Sequence, residues 1–517
     1  MADLICVRKN SYYDSVTLMT LSNKLKKLEG VLDAMVSMAT DMNKGLLAGI
    51  GLSNDEVVAA SQNDLLIAVR AHTEEQCRQA SAQVDVLLAS NGKGGKKQQE
   101  QVYHTIAQAK EANPELNLAI ISVAGQYAAR EARMALKNDM HVMLFSDNVT
   151  VEQEKELKEA AHEKGLLVMG PDCGTAIING VGLCFANQVR RGDIGMVGAS
   201  GTGLQEVTVL VDRLGGGVSQ AIGTGGRDLS AAIGGRMMLD GIDLLDADPN
   251  TRVIVLISKP PVHEVAAKVL ARVSTCTKPV VVCFIGGDAA DAQQAGAVFA
   301  SNLADAAAKA VALSKGQEAG QLPPFVPSKA LLDAAQKLRP EQKYIRGLFC
   351  GGTLAAEALF EITKEGLDVY SNVAKKPQQQ MEDLNISRKN TIIDLGDDAF
   401  TVGRPHPMIE PELRNDRLLQ EAQSPETAVV LLDIELGYGS HADPAGVVLE
   451  GIRRAQAENR KAGRHVIFIA YILGTQEDFQ GYDAQRAALE EAGVLIAHSN
   501  LEAVQMALAV GKGRQGK

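Results

Sequence analysis

Nowhere in this 517-residue chain do apolar residues run for the roughly 20 positions that a membrane-crossing helix needs. The opening residues MADLICVRKNSYYDS contain no sustained apolar segment of the kind found in a secretion signal. The seven cysteines are scattered, odd in number and never form a C-x-x-C pair. That pattern suggests neither a disulfide framework nor a zinc cluster, and a reduced cytosol is the expected compartment. Excess positive charge is also missing. The formal charge of −11 argues against nucleic acid or an anionic membrane as partner, although it leaves room for a local positive pocket.

What is present is an ordinary globular composition, 46% hydrophobic and 22% charged, in a chain too long for one compact core. Residues 1 to about 95 predict a small α+β domain. Its strand-like runs are LICVRK, LDAMVSMAT and DLLIAVRA, and its helix-like runs are Val16 to Leu28 and Glu74 to Leu88. The run beginning Ser90-Asn-Gly-Lys reads as a linker. From about 110, short continuous apolar strands alternate with amphipathic helices, which predicts parallel sheets covered on both faces. The expected fold is α/β, with tandem doubly wound domains: a Rossmann-like unit of CoA-binding type at 110–188, and flavodoxin-like units at 189–316 and 340–517. Between the last two lies GQEAGQLPPFVPS, where three prolines remove backbone donors.

The last two units echo one another. GLFCGGTLAAEAL repeats GMVGASGTGLQEV one residue shorter, TIIDLGDDAFT repeats AIGTGGRDLS, AVVLLDIELGYG repeats VIVLISKPP, and VIFIAYILGT repeats VVVCFIGG. A duplicated plan places the strand-end loops face to face if the copies pair. Ligands of open parallel sheets bind beyond the carboxyl ends of the strands, where a helix begins with unpaired N–H groups and partial positive charge. Ser200, Gly201 and Thr202 in one copy, and Gly351, Gly352 and Thr353 in the other, are therefore candidate phosphate ligands. Such turns also simply permit tight strand-to-helix packing. Neither is a Walker A loop or a full dinucleotide fingerprint.

Three further residues stand at strand ends or in rigid loops. Arg227 suits a bidentate contact to phosphate or carboxylate, or a surface pair with Asp228. Lys259 ends a buried strand before Pro260 and Pro261. His406, held between prolines beside Arg404, suits a donor or general base, or a loop cap. His441 faces either the same cavity or solvent. No metal site is expected.

MGPDCGTAI, IGMVGASGTGLQEV, IGTGGRDLS, DADPNTRVIVLIS and KPVVVCFIGG, in that order, resemble the α subunit of succinyl-CoA synthetase. Residues 345 to 510 more faintly resemble the carboxy-terminal domain of its β subunit. The fused arrangement, with YYDSVTLM early, SKPP between and PHPMIEP late, resembles the FdrA family of acyl-CoA-synthetase-like proteins across nearly the whole chain. The ligase resemblance implies a phosphate between two opposed helix N-termini. It also implies a phosphorylated histidine in an H-A-G-A motif. Here Gln293-Gln294-Ala295-Gly296-Ala297 takes that place, so Gln294 marks a degenerate phosphohistidine position. The orienting glutamate is replaced by Lys259. Neither a glycine-rich CoA loop nor an ATP-grasp stretch is present, so CoA is the one cofactor the resemblance brings, without its usual loop. The FdrA resemblance implies a multi-subunit carbamoyltransferase using carbamoyl phosphate and oxamate in purine or allantoin nitrogen breakdown. Under it Ser200, Gly201, Thr202 and Thr353 hold phosphate, Lys259 and Arg227 offset its charge, and His406 or a partner subunit positions the second substrate. The partners implied are a small anion, separate protein subunits and an oligomeric assembly. An acyl-CoA ligase subunit and a non-catalytic scaffold are the alternatives.

Overall fold

A computed structural model describes residues 1–9, 11, 13, 15–26, 28–90, 102–259, 261–401 and 404–516. Residues 91–97 of the expected linker, and Pro260, lie outside the described residues. The chain divides into two compact units, Met1–Val102 and Tyr103–Lys517. Among the described residues no helix is long and apolar enough to cross a membrane.

The first unit is a three-stranded antiparallel sheet of order β1-β3-β2, with β1 Ala2–Arg8, β2 Val31–Met38 and β3 Leu65–Ala71. Strand β3 is central and nearly all buried, as its unbroken LLIAVRA run requires. The sequence reading found all three strands and their flanking helices. It missed the helices Asp41–Gly49 and Asp55–Ala59, which are short and begin at the side-chain caps Thr40 and Asn54.

The second unit holds three sheets. The smallest is parallel, β4 Leu118–Ile121, β5 His141–Leu144 and β6 Val168–Met169, in that order. The next has seven strands: β7 Thr175–Ile178, β8 Val181–Cys184, β9 Arg191–Ala199, β10 Val218–Gly223, β11 Val253–Ser258, β12 Val280–Phe284 and β13 Val298–Phe299. The last has six: β14 Tyr344–Phe349, β15 Val369–Ser371, β16 Asn390–Asp394, β17 Thr427–Glu435, β18 Ile467–Leu473 and β19 Leu495–Ala497.

The echo in sequence is an echo in topology. The seven-stranded sheet runs β13-β12-β11-β9-β10-β7-β8 and the six-stranded sheet β15-β16-β14-β17-β18-β19. Setting aside the antiparallel hairpin β7-β8 on one and strand β15 on the other, both have the flavodoxin-like order 2-1-3-4-5 with every pair parallel. Their central strands are fully buried Val/Ile/Leu runs, VIVLIS in β11 and TAVVLLDIE in β17. One continuous core joins the two copies, including Leu204, Val207, Leu354 and Ala358 from the helices that follow β9 and β14.

Candidate functional site

The paired corners meet. Ser200 follows β9 directly and caps the helix Gly201–Arg213, its hydroxyl accepting from Gly203 N–H at 2.9 Å. Gly351 begins the helix Gly352–Lys364 and has no capping side chain. Thr202 of the first copy supplies one instead, its Oγ1 accepting from Thr353 N–H at 3.3 Å. Ser200 Oγ and Thr353 Oγ1 lie 2.5 Å apart and share one hydrogen bond.

Around this junction is a cavity of about 480 Å³, within the size range of small-molecule sites. All three sheets of the second unit contribute from their carboxyl ends. The loops after β4 and β5 bring Ser122 and Asp147, and Asp172 lies between β6 and β7. The first copy brings Ser200, Gly201, Thr202 and Lys259, and the second Gly352, Thr353, Asp394 and His406. Most of the expected site residues are thus brought together. The first-turn N–H groups of Gly201, Thr202 and Gly352 have no internal helical partner and, among the described residues, are the backbone donors left free at this junction.

Four expectations need correction. Gly351 N–H is not available to a ligand, because it donates to the buried Asp433 carboxylate at 2.8 Å, as Cys350 N–H does at 2.9 Å. Arg414 Nη1 contacts the same carboxylate at 2.9 Å. The second corner therefore already holds an anion, the chain's own. Cys350, Asp433 and Glu435 bring ligand-type atoms within 4.8 Å of one another, but the cation beside them is Arg414.

Arg227 is spent elsewhere. Its Nε pairs with Glu154 at 2.9 Å and its Nη2 donates to Val149 carbonyl at 2.7 Å. Asp228, its expected surface partner, is fully buried on Lys158 and on the N–H groups of Met237 and Met238. Arg227 does not line the cavity, although its charge is felt by Asp172 and Asp398.

Gln294 ends the exposed six-residue helix Ala289–Gln294 beside the edge strand β13, outside the cavity. His441 is likewise outside, its Nδ1 accepting from Asp443 N–H.

The fourth correction is electrostatic. The expected positive cradle is lined by five aspartates, Asp147, Asp172, Asp394, Asp397 and Asp398, against Lys259 and Arg404. Desolvation lifts Asp394, 6% exposed, to about 7 against the pull of Lys259. Its Oδ1 accepts from Gly396 N–H at 2.9 Å. Enclosure, with Asp398 and Asp147 nearby, lifts Asp172 to about 6. Asp172 also has φ 53°, the left-handed region that non-glycine residues seldom occupy and that recurs in functional sites. Of the five carboxyls, Asp394 is thus the one buried group poised to exchange a proton near neutrality, with Asp172 somewhat below it. Sequence reading missed this pair because only the fold brings strand ends 222 positions apart (172 and 394) to one cavity; the one local signal was an aspartate closing the buried run TIID.

His406 faces the same cavity. Its ring stands 5.7 Å from Phe185, and burial lowers it to about 4, so it is neutral. Nδ1 accepts from Met408 N–H at 3.2 Å. That bond assigns the proton to Nε2, which makes His406 a hydrogen-bond donor. It both caps its loop and lines the site. Lys259, half-buried, makes no ion pair within 4.0 Å among the described residues. A side chain at Gly352 would collide with Asp394 Oδ2 and meet Lys259 Nζ, so both groups converge on this one glycine.

With this geometry in view, three family models match: "AllF, heavy metal-associated domain" at residues 1–104, "CoA binding domain" at 189–286 and "CoA-ligase" at 348–510. The CoA-binding match falls on the seven-stranded sheet rather than on 110–188. The class so defined is a mixed α/β protein with acyl-CoA-synthetase-like domains behind a small N-terminal domain. Uncharacterized protein YahF of Escherichia coli (strain K12) is 50% identical over 500 residues, 97% of each chain, and the protein belongs to that family. Succinate--CoA ligase [ADP-forming] subunit alpha of Methanothermobacter thermautotrophicus is 28% identical over 43% of this chain and 76% of its own. Among solved structures, the dinucleotide-forming acetyl-coenzyme A synthetase 1 of Ca. Korarchaeum cryptofilum aligns at 18% identity with TM-score 0.35, covering 84% of this chain and 93% of its own.

Proposed function

We propose that the chain is the acyl-phosphate-handling subunit of an FdrA-type carbamoyltransferase, taking carbamoyl phosphate and oxamate in purine or allantoin nitrogen breakdown. The observation that carries this reading is the junction of Ser200 and Thr353 beside free first-turn donors and Lys259, in a cavity whose one histidine presents a proton rather than a lone pair. The AllF-type N-terminal match supports it.

The phosphate of an acyl phosphate would lie on the N–H groups of Gly201 and Thr202, with the free hydroxyl proton of the Ser200–Thr353 pair and Lys259 offsetting its charge. His406 Nε2–H would donate to the carbamoyl oxygen. The oxamate nitrogen forms the new N–C bond, the C–O bond to phosphate breaks, and phosphate leaves with that electron pair. The nitrogen's proton passes to Asp394 or Asp172, whose raised values suit a base working near neutrality. Their partial protonation also reduces repulsion of the bound phosphate. Separate subunits supply the remaining walls in an oligomeric, cytoplasmic assembly.

The second reading is an acyl-CoA-ligase subunit, favoured by the CoA-binding and CoA-ligase matches. CoA fits poorly at 110–188, where only β4, β5 and β6 make a separate parallel sheet, the hairpin β7-β8 joins the seven-stranded sheet, and β4 leads into the helix Gly125–Lys137 without a glycine-rich loop. The two readings separate in one experiment. The chain with its partner subunits is assayed for carbamoylation of oxamate by carbamoyl phosphate, with release of phosphate, and in parallel labelled with ATP. Carbamoyl transfer abolished by Lys259→Ala supports the first; no transfer together with an acid-labile phosphoprotein contradicts it and supports the second.

A further inference from the structure

At the opposite end of the six-stranded sheet, where β18 and β19 begin, is a second cavity of about 520 Å³. Its floor is apolar, including Phe468 and Leu495, and its rim carries Lys337, Arg460, Arg464 and His465 against the single acid Asp333. In a chain of net charge −11 this clustering of cations is against the general balance. Neighbouring Arg339 and Lys461 pair with Glu341 and Glu458, yet among the described residues Lys337, Arg460 and Arg464 make no ion pair within 4.0 Å.

Helix ends account for part of this. Lys337 caps the helix Lys329–Gln336 and Arg460 lies in the last turn of Pro444–Lys461, where the dipole favours cations. Arg464 and His465 lie beyond any helix, in the connection to β18, and that explanation does not reach them. Burial, and after it the charge of Lys337, disfavours protonation of His465. Asn459 in the same wall has a buried Oδ1 without a partner.

We infer that this cavity is a binding site, separate from the carboxyl-end site, for an organic anion: a phosphate-type head held by Lys337, Arg460 and Arg464, joined to a flat apolar body that covers Phe468 and Leu495. Head and body are both required, because exposed cations alone bind a small ion weakly in salt, and the floor alone offers little enclosed surface.

The test uses 1-naphthyl phosphate with the full chain, read by its fluorescence, which the absence of tryptophan leaves unobscured. Inorganic phosphate and 1-naphthol are the part-ligand arms, each in competition. The expected result is saturable binding, weakened by roughly 10-fold or more in the surface double variant Arg460→Ser/Arg464→Ser, unchanged in Lys259→Ala, and at least about 10-fold tighter than either part alone, a difference of ~1.4 kcal/mol. Circular dichroism and melting of the double variant establish that it is folded. Binding that survives the double variant, binding that depends on Lys259, equal binding of free phosphate, or no saturable binding at millimolar probe each overturn the inference.

Discussion

Ser200 and Thr353, 153 positions apart in sequence, share a hydrogen bond of 2.5 Å at the point where two copies of one fold touch. Each ends the first strand–turn of its copy, so the contact joins equivalent corners. It makes the site a product of both copies, and removal of either hydroxyl is felt by the other. Ser200→Ala loses a helix cap as well, at about 1 kcal/mol, and Thr353→Ala loses only the bridge. In a double-mutant cycle followed by denaturant unfolding, the two changes are expected to be non-additive by roughly 0.5–1.5 kcal/mol. Additive effects would mean that the hydroxyls do not interact.

Gly352→Ala tests how tightly the cavity is built. The new methyl meets Asp394 Oδ2 and Lys259 Nζ, the groups proposed to handle proton and phosphate. Phosphate affinity is expected to fall by about 10-fold or more, the ~1.4 kcal/mol of one displaced charged contact. Gly226→Ala, with nothing within 4 Å of its added carbon, is the matched control and keeps wild-type affinity in calorimetry.

Arg227→Ala separates neighbouring charge from contact. Because its guanidinium is held by Glu154 and Val149, its loss should change phosphate affinity by less than about 3-fold, the size of a screened charge effect. A loss comparable to that of Lys259→Ala would place Arg227 on the ligand.

Stability should depend on pH through buried carboxyls. Asp394 and Glu206 are raised to about 7 and Glu357 to about 8, each chiefly by burial. In each case the folded state binds its proton more tightly than the unfolded state. The stabilisation is therefore complete below the ordinary carboxylate range and is lost as pH rises through about 7 to 8. Melting temperature should fall between pH 5 and 8.5, and Glu206→Gln should flatten part of that fall. A rising or level profile would contradict these assignments.

The alternation of strands and helices and both glycine corners were legible in sequence because they are local. Apolar runs, periodic helices and small-residue turns repeat in one order, and β9, β14, Ser200 and Thr353 follow from them. Lys259 and His406 were legible from position, at a strand end and between prolines. The acids were not. Asp394 and Asp433 acquire their roles from burial, and Asp172 and Asp394 from convergence of distant loops, which no local pattern carries. Gln294, which a short Gln-Ala-Gly-Ala resemblance made a site candidate, lies outside the cavity on an exposed helix beside an edge strand.

The most direct measurement is a calorimetric titration of inorganic phosphate, displaceable by carbamoyl phosphate, into wild-type chain and Lys259→Ala. The account predicts a Lys259-dependent site, competition between the two ligands for it, and affinity there weakened by roughly 10-fold or more in the variant. Phosphate binding that is absent from the wild type, or indifferent to loss of Lys259, would contradict it.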